Sequence, residues 1–145
     1  MTNNSFKVMS SRKSDEWATS RDYFELVERE FGPFDLDVCA TKENTKVESY
    51  YTKEQDGLNQ IWFAKNWCNP PYSNIKEWIK KASEEQKKGN MTVMLIPSRT
   101  DTIAFHEYIY NKPNVEIRFI KGRLKFGDQK YPAPFPSMLV IFRPN

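Results

Sequence analysis

Two kinds of apolar pattern alternate along this chain: a three-and-four spacing in some segments, short unbroken runs in others. Over residues 21–30, Tyr23, Phe24 and Val27, with Phe31 just beyond, fall on one face of a helix that Ser20 can cap and that Gly32 follows. Residues 34–40 are apolar apart from Asp35 and Asp37 and read as the first strand. Residues 41–55 are polar around Tyr50 and Tyr51, with room for a short helix and an extended piece, and Asp56-Gly57-Leu58 suits a turn. The run Ile61-Trp62-Phe63-Ala64 predicts a buried strand leading into Asn66-Trp67-Cys68-Asn69-Pro70-Pro71-Tyr72. Ser73 or Asn74 then opens a helix to about Lys88, with Ile75, Trp78, Ile79 and Ala82 as its packed stripe and Gly89 as its stop. Residues 91–96 form a continuous apolar strand of the kind buried in a parallel sheet. A helix over 102–110, with Ile103, Phe105 and Ile109 partly buried, a strand over 115–120 and a closing strand at Ser137–Phe142 complete the series. Strands and helices alternate, so the fold expected is a three-layer α/β sandwich whose last strands include an antiparallel hairpin.

Composition narrows the class. At 145 residues, with 28% charged and 39% hydrophobic residues, the chain reads as one globular domain over 15–145 behind a polar, fraying tail over 1–14. Aromatic residues at 14% are enough for a core and for stacking positions. A net charge of +3 is compatible with a nucleic-acid partner without requiring one. Cys39 and Cys68, the only cysteines, lack paired spacing and His106 is the single histidine, so no zinc site is expected and a reducing cytoplasm is the natural compartment. No apolar run approaches the length of a membrane span and no signal peptide is apparent.

The chemistry concentrates at Asn69-Pro70-Pro71-Tyr72. The two prolines stop a sheet ladder, because neither donates an N–H and each has φ held near −65°. That leaves an amide, a bare carbonyl and a ring in fixed geometry. The Asn69 oxygen and the Pro70 carbonyl can each accept an N–H from an exocyclic amine, and Tyr72 can stack on a flat ring; the simpler alternative is a turn followed by a core aromatic. Elsewhere, Trp17-Ala18-Thr19-Ser20 is either a plain helix cap or a helix N-terminus with two hydroxyls that receives a carboxylate. Asp37, at the end of a strand, either meets a ligand or caps the next loop through Thr41 or Asn44. Asp56 belongs to an ordinary turn or contacts a ligand. Arg99 contacts phosphate or pairs with Asp101. Arg123, Lys125 and Lys130, set among Phe126 and the Pro-rich 131–136, suit a loop that grips a nucleic-acid backbone, or a protected sheet edge.

The tetrapeptide, with Trp17-Ala18-Thr19-Ser20, Phe34-Asp35-Leu36-Asp37-Val38-Cys39-Ala40, Asp56-Gly57-Leu58, Gly122-Arg123-Leu124-Lys125-Phe126 and Ala133-Pro134-Phe135-Pro136-Ser137, resembles the small phage-type DNA N-6-adenine-methyltransferase (Dam) family from about Asp15 to Pro144. The resemblance implies a Rossmann-like S-adenosylmethionine-dependent methyltransferase, a minimal sandwich without a separate target-recognition domain, acting on double-stranded DNA with the target adenine flipped out, in the cytoplasm of a phage host. It implies catalytic roles for Asn69, Pro70, Pro71 and Tyr72. It also implies a cofactor set of Trp17, Thr19, Ser20, Asp37, Cys39, Asp56 and Asn69, and DNA contacts from Arg99, Arg123, Lys125 and Lys130. Two departures stand out: Thr19-Ser20 replaces the family's Thr-Pro, and no Gly-x-Gly cluster follows the first strand. The alternatives are an N5-glutamine methyltransferase of proteins, which shares the tetrapeptide, an RNA adenine methyltransferase, and an inactive nucleic-acid-binding module.

Overall fold

The computed structural model describes residues 18–127 and 132–145; the expected tail over 1–14, Trp17 and Lys130 lie outside the described residues. Five strands, β1 (Leu36–Asp37), β2 (Lys65–Cys68), β3 (Met91–Pro97), β4 (Val115–Phe119) and β5 (Ser137–Phe142), form one sheet in the order β1-β2-β3-β5-β4. The first three run parallel, and β5 inserts antiparallel between β3 and β4. The last strand is therefore interior, and β4 is the edge.

Helix α1 (Arg21–Phe31) covers one face and α2 (Ile75–Lys87) with a π-helical turn at Phe105–Ile109 covers the other, which gives the three layers. The two-residue period of β3 sorts its side chains between them. Val93 and Leu95 pack with Phe24, Val27 and Phe31 of α1. Met94 and Ile96 pack with Trp78, Ile79 and Ala82 of α2 and with Phe105 and Ile109. Both faces of β3 are buried, hence its unbroken apolar sequence.

Ser20 caps α1 as expected, its Oγ accepting from the Tyr23 N–H at 3.2 Å. α2 starts differently. A 3₁₀ turn at Tyr72–Asn74 precedes it, and Asn74, instead of capping, accepts from Trp78 Nε1 at 3.2 Å. The helix ends where Gly89 takes φ +96°, the left-handed conformation that costs glycine least.

Four expectations are corrected. The first strand is two residues long, because the Asp37 carboxylate draws the N–H groups of Cys39 and Lys46 to itself and turns the chain off the sheet. Residues 41–55 hold turns and no helix, and Tyr50 bridges Asp37 in parallel. Of the run at 61–64 only Trp62 is buried; Ile61 is 79% exposed and the strand begins at Lys65. Its start is set by buried Asn66, whose amide closes on the Phe63 N–H and C=O (2.9 and 2.8 Å) and on Met91 C=O (2.9 Å). The predicted helix over 102–110 is the π-helical turn, and Ile103 is exposed.

Candidate active site

The end of β2 is held from behind. Trp67 meets Phe24 of α1 edge to face, with ring centroids 5.2 Å apart, and Phe34 at 5.9 Å. The next residues after the strand, Asn69 to Pro71, leave the sheet at its C-terminal end, where ligands bind in open α/β sheets. Pro70 is buried, Asn69 and Pro71 are half-buried, and Pro71 has φ −64° and ψ 144°. The Asn69 Nδ2 donates to Thr19 Oγ1 at 3.0 Å. Thr19 is itself buried one residue before the α1 cap, so the helix entrance and the loop are fastened together.

Beside that joint opens a cleft of about 790 Å³, whose lining includes Thr19, Asp37, Cys39, Asp56, Asn69 and Pro71. Its size is that of a small-molecule site. Six residues singled out from the sequence thus line one cleft. Ser20 does not line it, and its hydroxyl is engaged in the cap. Pro70 and Tyr72 also stand outside the lining.

Asp37 is 3% exposed, with Oδ2 accepting from Lys46 N at 3.0 Å and Oδ1 from Cys39 N at 3.4 Å. Burial pushes its carboxyl up to about 7, against the opposing pull of those N–H groups and of the Lys46 charge. The expected partners in the next loop, Thr41 and Asn44, bond to each other instead, at 2.7 and 3.1 Å. Asp37 therefore supports the loop through Lys46 and faces the cleft at once.

Asp56 takes φ 58° ahead of a 3₁₀ turn at Gly57–Asn59, and its carboxylate accepts from Asn59 Nδ2. Gly57 is required by close approach: a Cβ there would lie 2.1 Å from Val38 O. Trp62 Nε1 donates to Gly57 O at 2.8 Å and stacks on Trp78 at 6.3 Å, with Lys81 Nζ 5.6 Å above its ring. Trp78, predicted only as core, also lines the cleft, as does Lys46, which was not singled out. A tryptophan one turn into the helix behind the loop was the available signal for the first; nothing local marked the second.

Tyr72 packs edge-on to Phe135, centroids 5.4 Å apart, and Phe135 in turn meets Phe126 at 6.0 Å. Burial raises the Tyr72 phenol above its ordinary value, with the nearby Arg99 charge pulling the other way, so the ring stays neutral. Arg99 is exposed and forms no ion pair with Asp101 among the described residues. Arg123 and Lys125 are exposed on a loop anchored by buried Phe126 and by the bond from Ala133 N to Leu124 O at 2.7 Å. Gly127 brings that loop towards Ala18, on the cleft side of α1: a Cβ there would lie 3.8 Å from Ala18 O.

Among the described residues no cluster of His, Cys, Asp and Glu could hold a metal ion, and no helix is long and apolar enough to cross a membrane. The DNA N-6-adenine-methyltransferase (Dam) family matches residues 7–145. The DNA N-6-adenine-methyltransferase of Haemophilus phage HP1 is 31% identical over 145 residues, covering 94% of this chain and 84% of that protein. The DNA N-6-adenine-methyltransferase of Escherichia phage T1 is 36% identical over 113 residues, covering 76% of this chain and 46% of that protein, so the chain spans about half the length of that relative. With the sheet, the cleft and the loop at the end of β2 in place, this match over nearly the whole chain shows that the chain belongs to the DNA N-6-adenine-methyltransferase (Dam) family.

Proposed function

We propose that the chain methylates the N6 amino group of adenine in double-stranded DNA, with S-adenosylmethionine as methyl donor. The observation that carries the reading is Asn69, whose amide nitrogen is tied to Thr19 at 3.0 Å at the mouth of the cleft, which turns its oxygen the other way as an acceptor. The names of the phage T1 and HP1 relatives support the same reaction.

The cleft's donor set fits the cofactor. Carboxylates of Asp37 and Asp56 suit an ammonium group and ribose hydroxyls, and Thr19 with the N-terminus of α1 suits a carboxylate. Cys39, Leu58 and Trp78 offer apolar surface to a purine. When bound, S-adenosylmethionine supplies an electrophilic methyl on a sulfonium centre.

The protein's own task is the nucleophile. Adenine N6 is weakly nucleophilic because its lone pair is delocalised into the ring. Asn69 Oδ1 and the Pro70 carbonyl accept its two hydrogens, draw the nitrogen towards tetrahedral geometry and localise the lone pair; Pro71 keeps those acceptors in place. This is catalysis by positioning and fixed dipoles. The base must leave the stack to reach them, and Tyr72 receives its ring. Arg99, Arg123 and Lys125, with Lys130 beyond the described residues, hold the phosphates on either side. This reaction, with Cys39 and Cys68 not joined in a disulfide, suits the cytoplasm of a phage host.

Nucleoside mass spectrometry on unmethylated duplex DNA, incubated with the protein and S-adenosylmethionine, tests the reading. N6-methyladenine from the native chain and almost none from Asn69→Ala, with cofactor binding kept, is the expected result. Methylated RNA or a methylated glutamine with unmodified DNA would replace the substrate; DNA binding indifferent to S-adenosylmethionine would remove the enzyme.

A further inference from the structure

The sheet's two edges differ. At β1 the Asp37 N–H and C=O are taken by Ser49 O and Tyr51 N, both at 3.0 Å, so that edge is covered. At the other edge β4 pairs only with β5 among the described residues. Asn114 O accepts from Arg143 N at 2.9 Å and Ile120 N donates to Ser137 O at 3.1 Å. Even-numbered backbone groups of this segment therefore face β5. By the alternation of an antiparallel ladder those of Val115, Ile117 and Phe119 face outward. Among the described residues only the Val115 N–H is turned back, to Lys112 O at 3.3 Å.

Exposed apolar side chains gather beside this edge. Phe119, on β4 itself, is 63% exposed. Leu26 is exposed one turn before Glu30, whose carboxylate meets Arg118 at 2.6 Å. Exposed Ile103 and Tyr110 bracket the π-helical turn whose Phe105 and Ile109 share a core with Val115 and Ile117.

β4 is also self-complementary about Ile117. Glu116 and Arg118 lie on one face, and Val115, Ile117 and Phe119 on the other. We propose that a second copy of this chain docks on β4, the two strands antiparallel about a two-fold axis through Ile117. Ile117 then exchanges both backbone bonds with its copy, and Val115 C=O receives the Phe119 N–H of the second copy. Glu116 faces Arg118 of the second copy, and Val115 faces its Phe119. Centring the pair on Glu116 or Arg118 instead keeps the backbone bonds but sets like charges opposite each other. Because the axis is perpendicular to the sheet, the sheet runs on through ten strands, five from each copy, and the two clefts open at opposite ends.

Light scattering on the full chain after gel filtration reads the mass directly, with the expected result twice the 17.2 kDa of one chain. Phe119→Glu, at an exposed position, should return it to one chain with its circular dichroism intact. Ile117→Cys should cross-link to itself on oxidation, whereas Glu116→Cys should cross-link only when mixed with Arg118→Cys; the native chain measures the background of Cys39 and Cys68. A single-chain mass for the native protein overturns the proposal, including the case in which residues before Ala18 cover the edge. So does a dimer that Phe119→Glu leaves intact and that Ile117→Cys fails to cross-link.

Discussion

Asn69 Nδ2 and Thr19 Oγ1 lie 3.0 Å apart across fifty residues of sequence, so the orientation of the Asn69 amide is set by the segment that enters α1. An amide without that anchor can rotate and present its nitrogen where an acceptor is needed. Thr19→Val keeps the volume and removes the acceptor. Turnover at saturating DNA and S-adenosylmethionine should fall about tenfold, the worth of one hydrogen bond of ~1.4 kcal/mol, while Thr19→Ser keeps most of it. Native turnover in Thr19→Val would remove the anchoring role.

Asp37 should make both stability and binding pH-dependent. Its carboxyl is raised from the ordinary 3.8 to about 7, chiefly by burial. Between those values the folded state holds a proton that the unfolded state has lost. This contribution to stability is complete below about 4 and is lost as pH rises through about 7. Thermal melts should therefore show the native chain losing more stability from pH 5 to pH 8 than Asp37→Asn does. Affinity for the cationic cofactor should move the other way, rising through pH 7 as the carboxylate ionises, and calorimetric titration of Asp37→Asn should show a flat profile. Equal pH profiles in the two proteins would separate Asp37 from both effects.

Gly57→Ala tests how the Asp56 turn is held. The added methyl would meet Val38 O at 2.1 Å and Trp78 Cη2 at 3.2 Å. Both belong to the cleft wall, and a backbone carbonyl in the sheet yields little. The turn must then move outward, at a cost of roughly 1–3 kcal/mol for overpacking. Chemical denaturation should show that loss, and S-adenosylmethionine affinity should drop with it because Asp56 leaves its place. Gly57→Ala with native stability and affinity would mean the wall is soft.

The fold was legible where burial and period agree. β3 and the stripe of Trp78, Ile79 and Ala82 were readable because these side chains are buried and recur at the spacing of their own element. The cap of α1 was readable because Ser20 acts three residues away, on Tyr23. The failures at the two strand ends share a cause: a side chain that bonds the backbone at a distance the sequence does not display. Asp37 ends β1 through Lys46, nine residues on, and Asn66 begins β2 through Met91, twenty-five residues on. The placement of Thr19, Asp37, Cys39, Asp56 and Asn69 around one cleft was within reach of strand ends and the family resemblance. The cleft's second role for Trp78 did not, since a core stripe and a cleft wall have the same period.

The basic loop makes the last prediction. Arg123 and Lys125 are exposed on a segment pinned by buried Phe126, and no ion pair occupies either among the described residues. Side chains that contact phosphate release counterions from DNA, so each contributes about one unit to the slope of log affinity against log salt. Arg123→Ala and Lys125→Ala should each weaken DNA binding to a similar degree on any sequence and lower that slope by about one unit. The fold should be untouched, because neither side chain carries packing, and the affinity for S-adenosylmethionine alone should not change. Fluorescence anisotropy with labelled duplex DNA over a salt series measures the slope. An unchanged slope in the double variant would make the loop a protected sheet margin and move the DNA-binding face elsewhere, with Arg99 the next position to test.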